Sequence, residues 1–459
     1  MEPLPPHIFK AYDIRGIVGE SLTAAHVERI GRALSATAQA LGQRRIVLGR
    51  DGRPSSPDLA RALARGLLAG GLDVIDLGAV TTPMAYFAAH HLDCGNAAMV
   101  TGSHNPPAYN GIKLMLAGET LAGAAIQALR ARAEADAPPP ADSGRLCARD
   151  IAAAYHQRIL DDVRLARPLD IVIDAGNGIA GAHAPALLRA LGCRVEAMYC
   201  EVDGRFPHHH PDPSVADNLA DLRTRVSTRG ADLGLAFDGD GDRLGVVARD
   251  GTIIQADRVL MLLADDVLAR ARGATVIYDV KSTRLLRDWI LARGGVPLLW
   301  TAGHSRIKAR MRETGAALAG ELSGHLFFAE RWYGFDDGLY AAARLLEYLA
   351  RQPDLDACLR ALPDSINTPE LLVPMGEGEA QRLIERLREG ARFGGAREVI
   401  SLDGLRVEYA DGFGLLRASN TTPALSLRFE GDDAAALRRI QDDFRALLHA
   451  AAPTLRLPF

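Results

Sequence analysis

A chain of 459 residues exceeds what one hydrophobic core usually serves, so roughly two to four domains are expected. With 48% hydrophobic and 24% charged residues it reads as globular, and a net charge of -4 leaves no footprint for a nucleic-acid or anionic-membrane partner. No apolar run of about 18 residues occurs and "MEPLPPHIFKAYDIRG" lacks an apolar signal-peptide core, so neither a membrane span nor export is expected.

In chain order, "RRIVLGRDGRPSSPDLARALARGLLAGGLDVIDLG" (44–78) reads as strand, Gly-rich turn, amphipathic helix, glycine and strand. The loop "TGSHNPPAYNGIK" (101–113) follows, and the Pro-rich "DAPPPADSG" (136–144) predicts a linker before a helix near 148–162. "LDIVIDAGNGIAGAHAPALLRALGCRVEAMY" (169–199) repeats the first grammar, and "GATVIYDVKSTRLLRDWILARGGVPLLWTAG" (273–303) repeats it again. Helix-terminal glycines are expected at Gly71, Gly192 and Gly294–Gly295. A turn is expected over 248–259, and 351–370 separates the third unit from a tail that lacks the pattern. That tail pairs short strands ("LDGLRVEYA", "ALSLRFEG") with helices near 378–390 and 433–451. The fold class is therefore α/β, with related domains over 1–147, 148–252 and 253–365, and a smaller α+β domain over 366–459. Cys94, Cys147, Cys193, Cys200 and Cys358 lack CxxC spacing, which suits a reducing cytoplasm and neither a zinc site nor a disulfide frame.

Chemistry gathers in the loops. In "LGLAFDGDGDRLGVV" (233–247), Asp238, Asp240 and Asp242 alternate with glycines between two apolar runs. Carboxylates packed this closely repel one another unless a hard cation sits between them, and glycine lets the backbone curl around it. A solvated Asp-Gly turn is the competing reading. A calcium loop of the EF-hand type fails, because Arg243 stands where glycine is needed and Arg249 where glutamate is needed. Mg²⁺ holding a phosphate fits better, with Arg243 free to pair with a phosphoryl oxygen.

"TGSHNP" does not fit the GxSxG elbow of a hydrolase. It leaves Ser103 in a turn, His104 beside it and Lys113 ten positions on. A serine facing the aspartate loop could carry a phosphoryl group. In "GELSGH" (320–325), Glu321 and Ser323 project to one side if the segment is extended, as a carboxylate and hydroxyl that hold sugar hydroxyls would. "TAGHS" adds His304 upstream. In "LRASNTTP", Arg417, Ser419, Asn420 and Thr421 make the inventory of a phosphate cradle. The three histidines of "FPHHHPDP" (206–213) cannot easily face one ion, so a domain-junction loop is expected there.

These four loops, in this order and over essentially the whole chain, resemble the α-D-phosphohexomutase superfamily: "TGSHNP" its phosphoserine loop, "DGDGDR" its metal loop, "GELSGH" its sugar loop and "RASNT" its phosphate loop. "AYDIRG" (11–16) also matches. "RASNT" is similar to the bacterial phosphomannomutase/phosphoglucomutase branch, whereas the phosphoglucosamine branch reads more like "RPSGTEP". Leu322 stands where the branch often has Met, a swap of similar size that leaves mannose or glucose preference open.

The resemblance implies mixed sheets covered by helices, a mobile fourth domain and one central cleft. It also implies an isomerase that exchanges phosphate between O1 and O6 of glucose or mannose phosphates, through phosphorylated Ser103 and a 1,6-bisphosphosugar. Mg²⁺ would sit on Asp238, Asp240, Asp242 and a phosphoserine oxygen, with Arg243 and Lys113 against the phosphoryl. His104 or Lys113 would manage the proton. Glu321, Ser323, His304 and Lys281 would hold the sugar, Arg417, Ser419, Asn420 and Thr421 the idle phosphate, and Tyr12 and Arg15 would line the cleft. Glucose 1,6-bisphosphate would be intermediate and activator, and a cytoplasmic monomer is expected. A Mg²⁺-dependent sugar phosphatase and a phosphoglucosamine mutase are the alternatives.

Overall fold

In a computed structural model that describes residues 3–135, 142–419 and 422–459, the chain arranges its strands in four sheets. The first comprises β1 (Ile14–Ile17), β2 (Arg45–Arg50), β3 (Asp73–Ala79), β4 (Ala97–Val100), β5 (Tyr109–Leu116), β6 (Glu119–Thr120) and β7 (Leu146–Ala148). Its order is β1-β5-β4-β2-β3-β7, with β6 against β5. The second sheet holds β8 (Asp170–Asp174), β9 (Arg194–Met198), β10 (Leu233–Phe237), β11 (Leu244–Ala248) and β12 (Ile253–Ile254) in the order β12-β11-β10-β8-β9. In the third, β13 (Thr275–Asp279), β14 (Val296–Trp300), β15 (Leu318–Gly320) and β16 (Leu326–Phe328) run β14-β13-β15-β16.

The three repeats read from the sequence are parallel pairs joined by a helix: β2–β3 by Ser56–Ala69, β8–β9 by Ala184–Ala190 and β13–β14 by Leu285–Ala292. Gly71, Gly192 and Gly294 end those helices at φ of 83°, 101° and 74°, a left-handed conformation that glycine takes without strain. The repeat extends further than its sequence pattern. In each sheet a third strand (β4, β10, β15) runs parallel to the first, and a fourth (β5, β11, β16) returns antiparallel. The loop between third and fourth strand is therefore equivalent in all three sheets, and it is the loop that carries "TGSHNP", "DGDGDR" or "GELSGH".

Helices on both faces bury the central strands, which accounts for the unbroken apolar runs of β4 and β10. One core, including Phe87, Tyr155, Phe237, Phe328 and Tyr340, runs on through the first three sheets. The fourth sheet is antiparallel and comprises β17 (Ile366–Asn367), β18 (Leu371–Pro374), β19 (Glu398–Ile400), β20 (Leu405–Glu408), β21 (Gly412–Ala418) and β22 (Ala424–Gly431). Helices Glu379–Gly390 and Ala434–Ala451 close a separate core over it through Leu383, Leu387, Ile440 and Phe444. Arg406 docks this unit on the third by donating to the carbonyls of Val280 at 2.7 Å and Ser282 at 2.6 Å.

Two local expectations change. Residues 248–259, read as a turn, hold a short β11–β12 hairpin and the start of helix Ala256–Arg270. The helix expected from 148 begins at Ala152, because 146–148 pair with β3 as an edge strand. Part of the "DAPPPADSG" linker lies outside the described residues. Among the described residues no helix is long and apolar enough to cross a membrane.

Candidate active site

The loop after β4 is held by two residues of the first repeat's turn. Asp51 accepts from Thr101 Oγ1 at 2.8 Å and from Gly102 N at 3.1 Å. Arg53, 1% exposed, donates to the carbonyls of Ser103 (2.7 Å), Asn105 (2.5 Å), Pro106 (2.7 Å) and Tyr109 (2.9 Å). Each of these carbonyls, if orphaned by loss of the guanidinium, would cost on the order of 1–3 kcal/mol. So braced, Ser103 sits at φ 47°, a left-handed conformation uncommon outside glycine and frequent where a fold presents a functional side chain. Its Oγ donates to Asp238 Oδ2 at 3.0 Å and lies 3.1 Å from His104 Nδ1. Arg15 reaches the same loop, donating to Gly102 O at 3.3 Å and to Asn105 Oδ1.

The aspartate loop enters from the second sheet. A Cβ at Gly239 would come within 2.3 Å of Ser103 O, so glycine is what lets the two loops touch. Asp238 Oδ1 accepts from the backbone N–H groups of Gly241, Asp242 and Arg243 at 3.0, 3.1 and 3.2 Å, which curls the loop. Thr82 Oγ1 donates to Asp240 Oδ2 at 2.6 Å from the first domain. Lys113 Nζ donates to Asp240 Oδ2 at 2.7 Å and to Asp242 Oδ2 at 2.5 Å. All three aspartates are fully buried.

The electrostatics follow from that crowding. Burial, then the charges of Asp242 and Asp240, push the Asp238 carboxyl well above the usual carboxylate range. For Asp242, burial acts upward but Lys113 and His325 outweigh it and hold the group well below that range. Burial likewise opposes the charged form of Lys113, yet Asp240 and Asp242 raise its pKa well above the ordinary value. One ammonium does not balance three carboxylates. Their oxygens lie within 4.8 Å of one another, and Asp240 Oδ1 has no hydrogen-bond partner among the described residues. An all-oxygen, negatively charged cluster with a spare buried oxygen fits a hard divalent cation.

Arg243 joins the second domain to the third. Its Nη1 lies 3.5 Å from Asp212 Oδ1, and its Nε donates to His325 Nε2 at 3.3 Å. Burial and the Arg243 charge hold His104 well below the ordinary histidine value. The "GELSGH" loop is a tight turn rather than an extended segment: Glu321 N donates to His325 O at 2.9 Å and Gly324 N to Glu321 O at 3.0 Å. Glu321 and Ser323 therefore meet by folding back around His325. Ser323 Oγ is 2.8 Å and Glu321 Oε2 3.5 Å from His325 Nδ1. Glu321 Oε1 also accepts from Gly303 N at 2.6 Å, and burial raises its carboxyl above the ordinary range. His304 opens the next helix with the Tyr12 ring edge-on at 4.9 Å.

At the far end, Lys281 Nζ donates to Glu370 Oε2 at 3.1 Å and Arg417 Nε to Asp403 Oδ2 at 3.2 Å. Ser419 Oγ lies 3.2 Å from Thr422 Oγ1. Asn420 and Thr421 lie outside the described residues. Sequence reasoning missed Asp51, Arg53, Thr82, Asp212 and His325. Three of them lay in stretches the sequence singled out: Asp51 and Arg53 in the Gly-rich turn, and His325 at the last position of "GELSGH".

The comparisons agree along the whole chain. Residues 6–139, 153–251 and 255–366 match alpha/beta/alpha domains I, II and III of phosphoglucomutase/phosphomannomutase, and 367–447 match its C-terminal domain. The chain is 55% identical over 452 residues to a phosphoglucomutase of Neisseria gonorrhoeae, covering 98% of each. It is 51% identical over 457 residues to a phosphomannomutase/phosphoglucomutase of Pseudomonas aeruginosa, covering 99% of this chain and 98% of the other. The crystal structure of a phosphoglucomutase/phosphomannomutase family protein from Burkholderia thailandensis superposes with a TM-score of 0.94 at 51% identity, over 99% of this chain and 100% of that one.

Proposed function

The chain belongs to the phosphoglucomutase/phosphomannomutase family and is a phosphohexomutase, and from that premise we propose how its residues divide the work. Phosphorylated Ser103 gives its phosphoryl group to the free hydroxyl of glucose 1-phosphate or mannose 1-phosphate. The Oγ–P bond breaks, an O–P bond forms at O6, and the hydroxyl proton ends on Ser103 Oγ. The resulting 1,6-bisphosphosugar turns over in the cleft; its O1–P bond then breaks as a P–Oγ bond re-forms on Ser103, the Oγ proton ends on O1, and the hexose 6-phosphate leaves. The observation that carries this reading is the contact of Ser103 Oγ with Asp238 Oδ2 at 3.0 Å, which sets the serine against the carboxylate cluster of another domain.

Asp238, Asp240 and Asp242, with a phosphoserine oxygen, would hold Mg²⁺, which when bound supplies charge stabilisation to the transferring group. Lys113, held as an ammonium by two of those carboxylates, and Arg243, held by Asp212, provide fixed positive charge beside it. His104, with Nδ1 at 3.1 Å, is placed to exchange the proton of Ser103 Oγ. Glu321, Ser323, His304 and Lys281 face the sugar, Tyr12 and Arg15 close the first-domain side, and Arg417 with Ser419, Asn420 and Thr421 takes the phosphate that is not reacting. We divide the chain at 147, 252 and 365, and read it as a cytoplasmic monomer. Its five free cysteines suit a reducing compartment.

Intact-mass measurement of the isolated enzyme, before and after adding glucose 1-phosphate, tests the assignment. Phosphate on Ser103 that exchanges with the sugar, and loss of turnover by at least about 10⁴-fold in Ser103→Ala, are expected. Full turnover in Ser103→Ala sinks the assignment, and stoichiometric release of inorganic phosphate to water identifies a phosphatase instead.

A further inference from the structure

Helix His304–Thr314 places His304 and Lys308 one turn apart on the same face. Lys308 is 4% exposed, and its Nζ lies 2.8 Å from Asp336 Oδ1, 3.1 Å from His304 Nδ1 and 4.4 Å above the Tyr86 ring. The fully buried Asp336 carboxylate accepts from Lys308 through Oδ1, while its Oδ2 lies 3.5 Å from His304 Nδ1 and 4.0 Å from His325 Nε2. The nearer neighbour of His304 Nδ1 is therefore the Lys308 ammonium, whose charge balances the buried carboxylate. An ammonium carries three donors and no acceptor. His304 Nδ1 can meet it only through its lone pair, which leaves the imidazole proton on Nε2.

His325 stacks on His304 with centroids 5.7 Å apart and an interplanar angle of 18°. Its Nε2 lies 3.3 Å from both Arg243 Nε and Asp242 Oδ1, and its Nδ1 lies 2.8 Å from Ser323 Oγ.

Building on the mutase reading, we infer that Lys308 is a positioning residue that, with Asp336, locks His304 in its Nε2–H tautomer and makes it a fixed hydrogen-bond donor to the sugar phosphate. A substrate that must be held in two orientations presents an oxygen acceptor at this position in either one. A donor whose polarity cannot flip therefore serves both.

Long-range ¹H–¹⁵N NMR of the full chain labelled at histidine, with the His304 signals assigned by His304→Gln, reads the tautomer directly. The wild type is expected to show a protonated Nε2 and an unprotonated Nδ1. Lys308→Met should let the Nδ1–H form appear and raise KM for glucose 1-phosphate about tenfold, the scale of one hydrogen bond, while kcat changes less than about threefold. Lys308→Arg, which like lysine only donates, should retain both the tautomer and the KM where it folds. An Nδ1–H or mixed signal in the wild type overturns the inference even if Lys308→Met does not fold. So does an unchanged tautomer in a folded Lys308→Met, or an altered tautomer with unchanged KM. If the wild type interconverts no hexose phosphate, the mutase reading fails while the tautomer assignment is still decided by the spectrum.

Discussion

At the Ser103 end of the cleft, charge is shared between domains and sealed from water; at the Arg417 end it is parked in pairs that a substrate can break. Lys113 of the first domain spans two aspartates of the second, and Arg243 of the second reaches His325 of the third, all among buried partners. At the other end Lys281 rests on Glu370, an acid whose side chain is one-third exposed, and Arg417 rests on Asp403. A phosphate can take over such partners with little loss, because one charge-assisted contact replaces another. The first arrangement suits groups that must already be in place when a phosphoryl group moves, and the second suits groups that must release and re-grip a sugar phosphate.

If that division is right, a change at the buried end should appear in kcat and a change at the far end in KM. The largest effect is expected from Asp240→Asn. It removes a carboxylate from the proposed cation site and the partner of both Lys113 and Thr82. Turnover should fall on the order of 10³-fold, with Mg²⁺ affinity weakened in parallel. Steady-state kinetics over a Mg²⁺ series, with calorimetric titration of the cation, checks this. A variant with unchanged kcat and a purely raised sugar KM would erase the distinction between the two ends.

A smaller effect is expected behind the "DGDGDR" loop, where Gly338 N donates to Gly241 O at 3.2 Å. Next to it, buried Asp337 accepts from Tyr155 Oη and caps the following helix through Tyr340 N at 2.9 Å. Burial, with Asp336 adding to it, pushes this carboxyl up to about 7. A carboxyl raised in the folded state binds its proton more tightly there than in the unfolded chain. Its contribution is therefore most favourable below about pH 4 and declines as pH rises to about 7, by at most about 4 kcal/mol. Asp337→Asn, neutral throughout, should gain on the wild type in thermal unfolding by several degrees between pH 5 and 8. A difference in Tm that stays flat with pH would remove the argument.

What the sequence made legible was local. Three strand–helix–strand units, their terminal glycines and the four polar loops follow from apolar periodicity and punctuation, because strand, helix and cap each depend on neighbours within about a dozen residues. Hidden were contacts that depend on sheet order. Arg53 braces Ser103 across 50 residues because β2 and β4 are adjacent parallel strands, and no periodicity in the chain states that adjacency. In "FPHHHPDP", read as a junction loop, His208 meets Asn177 and His209 meets Asp174 within the second domain, and its Asp212 holds Arg243. A polar loop after each repeat was legible, but that each joins a third, parallel strand to a fourth, antiparallel one was hidden for the same reason. The third and fourth strands of each repeat sit at different sequence distances, and only the shared pairing pattern relates them.

The smallest of these effects is the one that isolates the far end. Arg417 is buried, and its Nε donates to Asp403 Oδ2, whose same oxygen accepts from Ala302 N at 3.1 Å and so ties the fourth domain to the third. Arg417→Lys keeps the charge, so the ion pair with Asp403 and the domain contact can persist. What it loses is the planar fork that, in the proposed reading, would grip two phosphate oxygens at once. Such a loss is worth about tenfold in binding, and it falls equally on the bound substrate and on its transition state. KM for glucose 1-phosphate should therefore rise about tenfold while kcat stays within about twofold. If kcat falls with KM unchanged, Arg417 acts on the moving phosphoryl group, and the line between a reacting end and a holding end was drawn in the wrong place.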